Sequence, residues 1–155
     1  MSRPNTVQVA IGTLALGTAT GLRSQMGMAA VLLGLNENTL PRSCRKPGAR
    51  LTALTAAAGE LVVDKLPGTP DRTEPLGLAA RISLAALACG ILASSASRKP
   101  LPAAVIGAGT AVAAAFGGRV FRQKLSTRLP PVAAALVEDA LAVSVAVLAV
   151  RLIRE

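Results

Sequence analysis

Apolar positions fall into long unbroken runs rather than strand-like alternation. Five runs stand out: Val7–Leu22, Leu51–Val63, Leu76–Ala96, Ala103–Gly118 and Val132–Val150, all rich in Ala, Leu and Val. A helix needs about 20 residues to cross a 30 Å hydrocarbon core, so the third and fifth suffice as they stand. With Lys65–Leu66 added to the second, and with the fourth extended to Leu101–Phe121, both come near the lower limit. A sixth run, Met26–Leu35, covers only about 15 Å. It is either a re-entrant segment or the second half of a long first helix broken at Gly21-Leu22-Arg23-Ser24.

Between the runs lie polar linkers at Asn36–Arg50, Pro67–Pro75, Ser94–Pro102 and Arg122–Pro131. Proline is well tolerated at the first helical position, which makes Pro75, Pro102 and Pro131 predicted helix starts. The pattern predicts an all-α fold, a polytopic transmembrane helical bundle of about five crossings with a broken or re-entrant N-terminal segment. Residues 1–155 form a single integral membrane domain: a broken helix and basic loop over 1–48, then helical hairpins over 49–95 and 101–151. Arg3 before Val7–Leu16 resembles a short signal peptide, but one charge is a weak positive region, and an uncleaved first helix is expected.

Composition narrows the class. Charged residues make up 16% of the 155, against about 25% in soluble domains, and apolar residues 52%, which excludes an ordinary soluble domain and a disordered chain alike. There is no histidine, so a Cys/His zinc site and a Ser-His-Asp system are both impossible, and no metal or cofactor is expected. Cys44 and Cys89 make no disulfide framework. The net charge of +9 sits in short clusters between apolar runs, with no Tyr or Trp to stack on bases, so nucleic acid is not an expected partner. With Met26–Leu35 re-entrant, Arg42, Arg45, Lys46 and Arg50 share a side with Arg98, Lys99, Arg151 and Arg154, the side expected to be cytoplasmic. The expected location is the cell membrane, multi-pass, in a bacterium the inner or plasma membrane. The bilayer is the expected partner, and so few short helices enclose so little space that a homo-oligomer is expected too.

A few charges interrupt the apolar runs: Glu60 in the second, Arg81 in the third, Glu138 and Asp139 in the fifth. At the bilayer midplane these four together would cost on the order of 10 kcal/mol, so pairing or partial hydration must compensate. Arg81 lies six residues past Pro75 and Glu138 seven past Pro131, each roughly 9–10 Å below the same side, and Glu60 is about as deep. The spacing therefore predicts a cluster of Glu60, Glu138 and Asp139 around Arg81, with Asp64 one turn above Glu60. Arg119, Arg122 and Lys124 approach it from the fourth run and Arg23 from the break. Two readings follow. In one, crowded carboxylates that take and release protons make an ion or polar-solute site in a transporter- or channel-like protein. In the other, the cluster is an ion-pair lock in a membrane scaffold or lipid-interacting protein. No nucleophile motif accompanies the carboxylates, so no catalytic residue and no enzyme activity are expected. Gly17 with Gly21, and Gly107, Gly109, Gly117 and Gly118, read as sites of close helix packing within the bundle or between protomers.

The run Gly59-Glu60-Leu61-Val62-Val63-Asp64-Lys65-Leu66-Pro67, followed by Leu78-Ala79-Ala80-Arg81, resembles the E-x-x-x-D-K-x-P…R core of the domain of unknown function 4126 family of small membrane proteins. Gly21-Leu22-Arg23 is similar to that family's early G-L-R, and Leu136-Val137-Glu138-Asp139 to its late L-x-E-D. The chain departs from the pattern in lacking a proline after Arg81 and in carrying Arg119 where a histidine or other polar residue is expected. The resemblance implies a polytopic helical fold and adds Lys65 to the selected charges. It implies no particular activity.

Overall fold

The computed structural model describes residues 4–63 and 74–154. Among them are six α-helices and no strand: α1 (Thr6–Leu22), α2 (Met26–Gly34), α3 (Pro47–Val63), α4 (Pro75–Ser95), α5 (Pro100–Ser126) and α6 (Pro131–Arg154). Three of them, α4, α5 and α6, are long and apolar enough to cross a membrane, and α1 is a shorter apolar helix. This is the makeup of an integral membrane protein, arranged as a helical bundle.

Helix boundaries follow local chemistry. Asn5 and Gln8 cap α1 reciprocally, each side-chain oxygen accepting the other's backbone N–H at 2.8 Å. Pro75 and Pro131 open their helices as the sequence predicts, whereas α5 opens at Pro100 and takes Pro102 into its first turn. Both positions lie among the first four N–H groups, which have no intrahelical acceptor, so a proline there forfeits no helical hydrogen bond. The far end of α5 also differs. Its apolar run ends at Gly118, yet the helix continues to Ser126, carrying Arg119, Arg122 and Lys124 on a polar extension. At 27 residues it is about 40 Å long and outreaches a 30 Å core.

At the centre stands α1, packed against α4, α5 and α6, while α4 and α5 form a tight antiparallel hairpin. Its residue Gly12 lies against Ala149 and Ile153 of α6, and Arg23 just past its other end reaches Asp139, so the two helices run antiparallel. Gly34, at the end of α2, lies against Val150. The nine residues of α2 therefore travel back to the end from which α1 sets out. Met26–Gly34 thus reverses the direction of α1 at the break and does not continue it.

The loop from α2 to α3 is folded by its own basic residues. Arg45 donates from Nε to the Leu40 carbonyl (2.8 Å) and from a terminal nitrogen to that of Asn38 (3.0 Å), and Arg50 pairs with Glu37 (2.6 Å). Leu40 is thereby seated in the apolar core at that end.

Within a bilayer apolar burial does not drive helices together, so they must gain by close contact, which small residues allow. A side chain added at Gly17 would come 2.8 Å from the Gly107 carbonyl oxygen, and one at Gly21 would strike the carbonyl of Ala111. Gly107 in turn backs onto Cys89, whose buried thiol donates to the Thr13 carbonyl at 3.5 Å. These glycines serve packing within the protomer. Gly109 and Gly117 have open space beside them. Gly21→Val should therefore lower stability by about 1–3 kcal/mol or more through overpacking, whereas Gly109→Ala should leave the melting temperature unchanged or slightly raised. Thermal unfolding followed by circular dichroism in mild detergent measures both.

Candidate functional site

Breaking a helix inside a membrane exposes backbone groups that no water can satisfy, at a cost of several kcal/mol for each one left unpaired. Here the break falls at Arg23-Ser24-Gln25, between α1 and α2. Arg23 adopts an extended backbone, ending α1 and freeing the carbonyls of its last turn and the first N–H groups of α2. Gln25, the residue before α2, makes no side-chain cap of its own.

The missing cap comes from α3. One carboxylate oxygen of Glu60 accepts from the backbone N–H and the hydroxyl of Ser24, both at 2.8 Å, and the other accepts from the Gln25 N–H at 2.8 Å. A carboxylate at that point also complements the positive end of the helix dipole. The carbonyl side of the break is served from α4: Arg81 donates from Nε to the Gly21 carbonyl (3.2 Å) and from a terminal nitrogen to the Gly77 carbonyl of its own helix (3.2 Å). Arg81 and Glu60 approach each other to 3.8 Å, an ion pair closing the clamp. The Glu60 side chain keeps 17% of its surface exposed.

Two further pairs fix α6. Arg23, 1% exposed, forms an ion pair with Asp139, and Nε of Arg122 on α5 lies 2.9 Å from a carboxylate oxygen of the fully buried Glu138. The sequence places Glu138 and Asp139 around Arg81; in the structure Glu138 pairs with Arg122 and Asp139 with Arg23. The reason is helical geometry: consecutive residues point about 100° apart, so Glu138 turns toward α5 and Asp139 toward α1. Ion pairs thus join Glu60 with Arg81, Asp139 with Arg23 and Glu138 with Arg122. Arg119 is exposed on α5, about one turn before Arg122. Asp64 and Lys65 lie outside the described residues.

Sequence reasoning missed Ser24, Gln25 and the Gly21 carbonyl as partners of the charges. The signal was present in the polar pair Ser24-Gln25 between two apolar runs, because a break needs its backbone groups satisfied. A separate cavity of about 500 Å³ lies among α2, α3 and α6. Its walls are apolar up to Arg151 and Arg154, and they include none of Glu60, Arg81, Glu138 or Asp139. Among the described residues no group of three or more Cys, Asp and Glu is placed to hold a metal ion.

Removing one member of a buried pair strands the other charge. Asp139→Ala should therefore cost about 3–5 kcal/mol, and replacing both Arg23 and Asp139 with apolar residues of similar size should restore much of the loss. Glu60→Gln, which keeps an acceptor for the break, should cost less than Asp139→Ala. A double-mutant cycle on melting temperatures in detergent gives the comparison, and equal losses for Asp139→Ala and the double replacement would show that the pair is not the source.

Searched against family models, curated proteins and solved structures, the chain matches none.

Proposed function

We propose that this is a lipid-engaging membrane scaffold rather than a transporter, with its intramembrane charges serving as an ion-pair lock. The observation that carries this reading is the engagement of Glu60, Glu138 and Asp139: each faces an arginine from another part of the chain, and Glu60 in addition caps the broken helix. A carboxylate that must hold two backbone N–H groups in place is poorly suited to release them in every transport cycle. In this proposal α3, α4, α5 and α6 cross the cell membrane, and α1 with α2 forms a hairpin that turns at Arg23-Ser24-Gln25 and returns to the side on which α1 begins. The basic residues at 42–50, 98–99 and 151–154 then face the cytoplasm. Membership in the domain of unknown function 4126 family is part of the proposal and rests on the motifs around Glu60, Arg81 and Glu138. So is a homo-oligomer, whose mass can be read in the same detergent preparations.

One observation favours transport of an ion or small polar solute: the helix is interrupted beside charged side chains, as in transporters that bind substrate between half-helices. The two readings separate in proteoliposomes under a pH gradient. The lock predicts flux of sodium, potassium, chloride and protons no greater than in protein-free liposomes. A protein-dependent flux that Glu60→Gln abolishes, in a variant that still folds, would replace the lock with the transport site.

A further inference from the structure

A helix of nine residues cannot fill the space between two long neighbours. Because α3 leans mainly on α2, a groove is left between α3 and α6 with α2 as its floor. Ala29 and Leu33 line the floor, Leu54 and Ala58 one wall, and Val143 and Val147 the other. At one end the lining changes character, to Arg151 and Arg154 in the last turn of α6. Both arginines are exposed, and among the described residues neither has an acidic partner.

From these features we infer that the groove holds one anionic phospholipid, its acyl chains along α2 and its headgroup phosphate against Arg151 and Arg154. Three observations converge. From Val143 to Arg154 the α6 wall is about 17 Å long, close to half of a 30 Å hydrocarbon core, so the groove is one leaflet deep. Its deep end stops one turn short of Asp139, where the ion pairs close the bundle. Its mouth lies at the end of the molecule that carries the basic loop, the level at which a cytoplasmic leaflet presents anionic headgroups. An apolar groove of about 500 Å³ facing hydrocarbon has too few polar partners to hold ordered water, and lipid chains are the material at hand to fill it. The arginines add selection by charge, and their planar forks suit a phosphate diester.

This inference rests on the lipid-engaging part of the reading above and names the lipid class. The test is native mass spectrometry of the full chain from detergent, supplied with phosphatidylglycerol or phosphatidylcholine bearing the same palmitoyl and oleoyl chains. One phosphatidylglycerol per protomer should be retained about tenfold better than phosphatidylcholine, as two interfacial arginines allow. The double variant Arg151→Gln/Arg154→Gln should bind both lipids alike. Ala58→Trp, which places a ring in the groove from an exposed position, should lose both, and Val147→Trp repeats that test from the opposite wall. Arg42→Gln/Lys46→Gln removes charge at the same end outside the groove and should keep the preference. Equal retention of the two lipids by the unaltered protein overturns the inference. So does a preference that survives loss of Arg151 and Arg154, or one that vanishes with Arg42 and Lys46, which would mark a diffuse surface potential. Stabilisation by inorganic phosphate alone, equal to that by phosphatidylglycerol, would reduce the site to a simple anion site and overturn it as well. No flux enters the measurement, so a failure here leaves the ion-pair lock standing, and a positive flux result leaves the lipid binding to be judged on its own.

Discussion

An interrupted helix in hydrocarbon has to have its freed N–H and C=O groups met by other parts of the protein, and the architecture is arranged around that requirement. Glu60 meets the N–H side and Arg81 the C=O side. Their positions demand that α3 and α4 both reach the level of the break. Arg23, the residue that ends α1, cannot remain an isolated charge at that depth, and Asp139 brings α6 to it. Three of the six described helices are thus placed by the break between α1 and α2. The charges are expensive in this medium taken singly, but each satisfies a group that would otherwise be costly too.

Close packing supplies the second condition. Arg81 touches the backbone of Gly21 only because α1 is lined with small residues where its neighbours cross it, at Gly17, Ala19 and Gly21. Larger side chains there would hold α4 and α5 too far away for a guanidinium to reach a carbonyl. The hydroxyls of Thr13 and Thr20 in the same buried face turn back to the carbonyls of Val9 and Leu16, each at 2.8 Å, so they demand nothing from other helices.

Much of the fold was legible in the sequence, since apolar runs and proline starts follow from local physics. The six runs correspond to the six helices, with boundaries differing most at α5, where Arg119–Lys124 broke the apolar run without breaking the helix. The charges at depth were legible as a group, because their cost is independent of what they touch. Their partners were not. Whether Glu138 or Asp139 faces a given arginine depends on the rotation of α6 about its axis, and that is set by packing against α1 and α5 rather than by spacing from Pro131. The role of Glu60 as a cap for another helix was hidden for a different reason: its partners are backbone atoms, which every residue carries and which no residue letter marks. The return of α2 was undecided for want of any local signal distinguishing a bend from a reversal.

The break also imposes an order on how the protein is made. Its N–H groups wait for a residue 36 positions later in the chain, and its carbonyl for one 60 positions later. A ribosome delivers α1 and α2 to the membrane well before Glu60 and Arg81 exist to receive them. During that interval the hairpin has no internal solution for its exposed backbone and is stable only at the wet boundary of the bilayer. Full insertion of the first two helices therefore belongs to the time when α3 and α4 arrive, and the N-terminal segment, first to be synthesised, is among the last to reach its final depth.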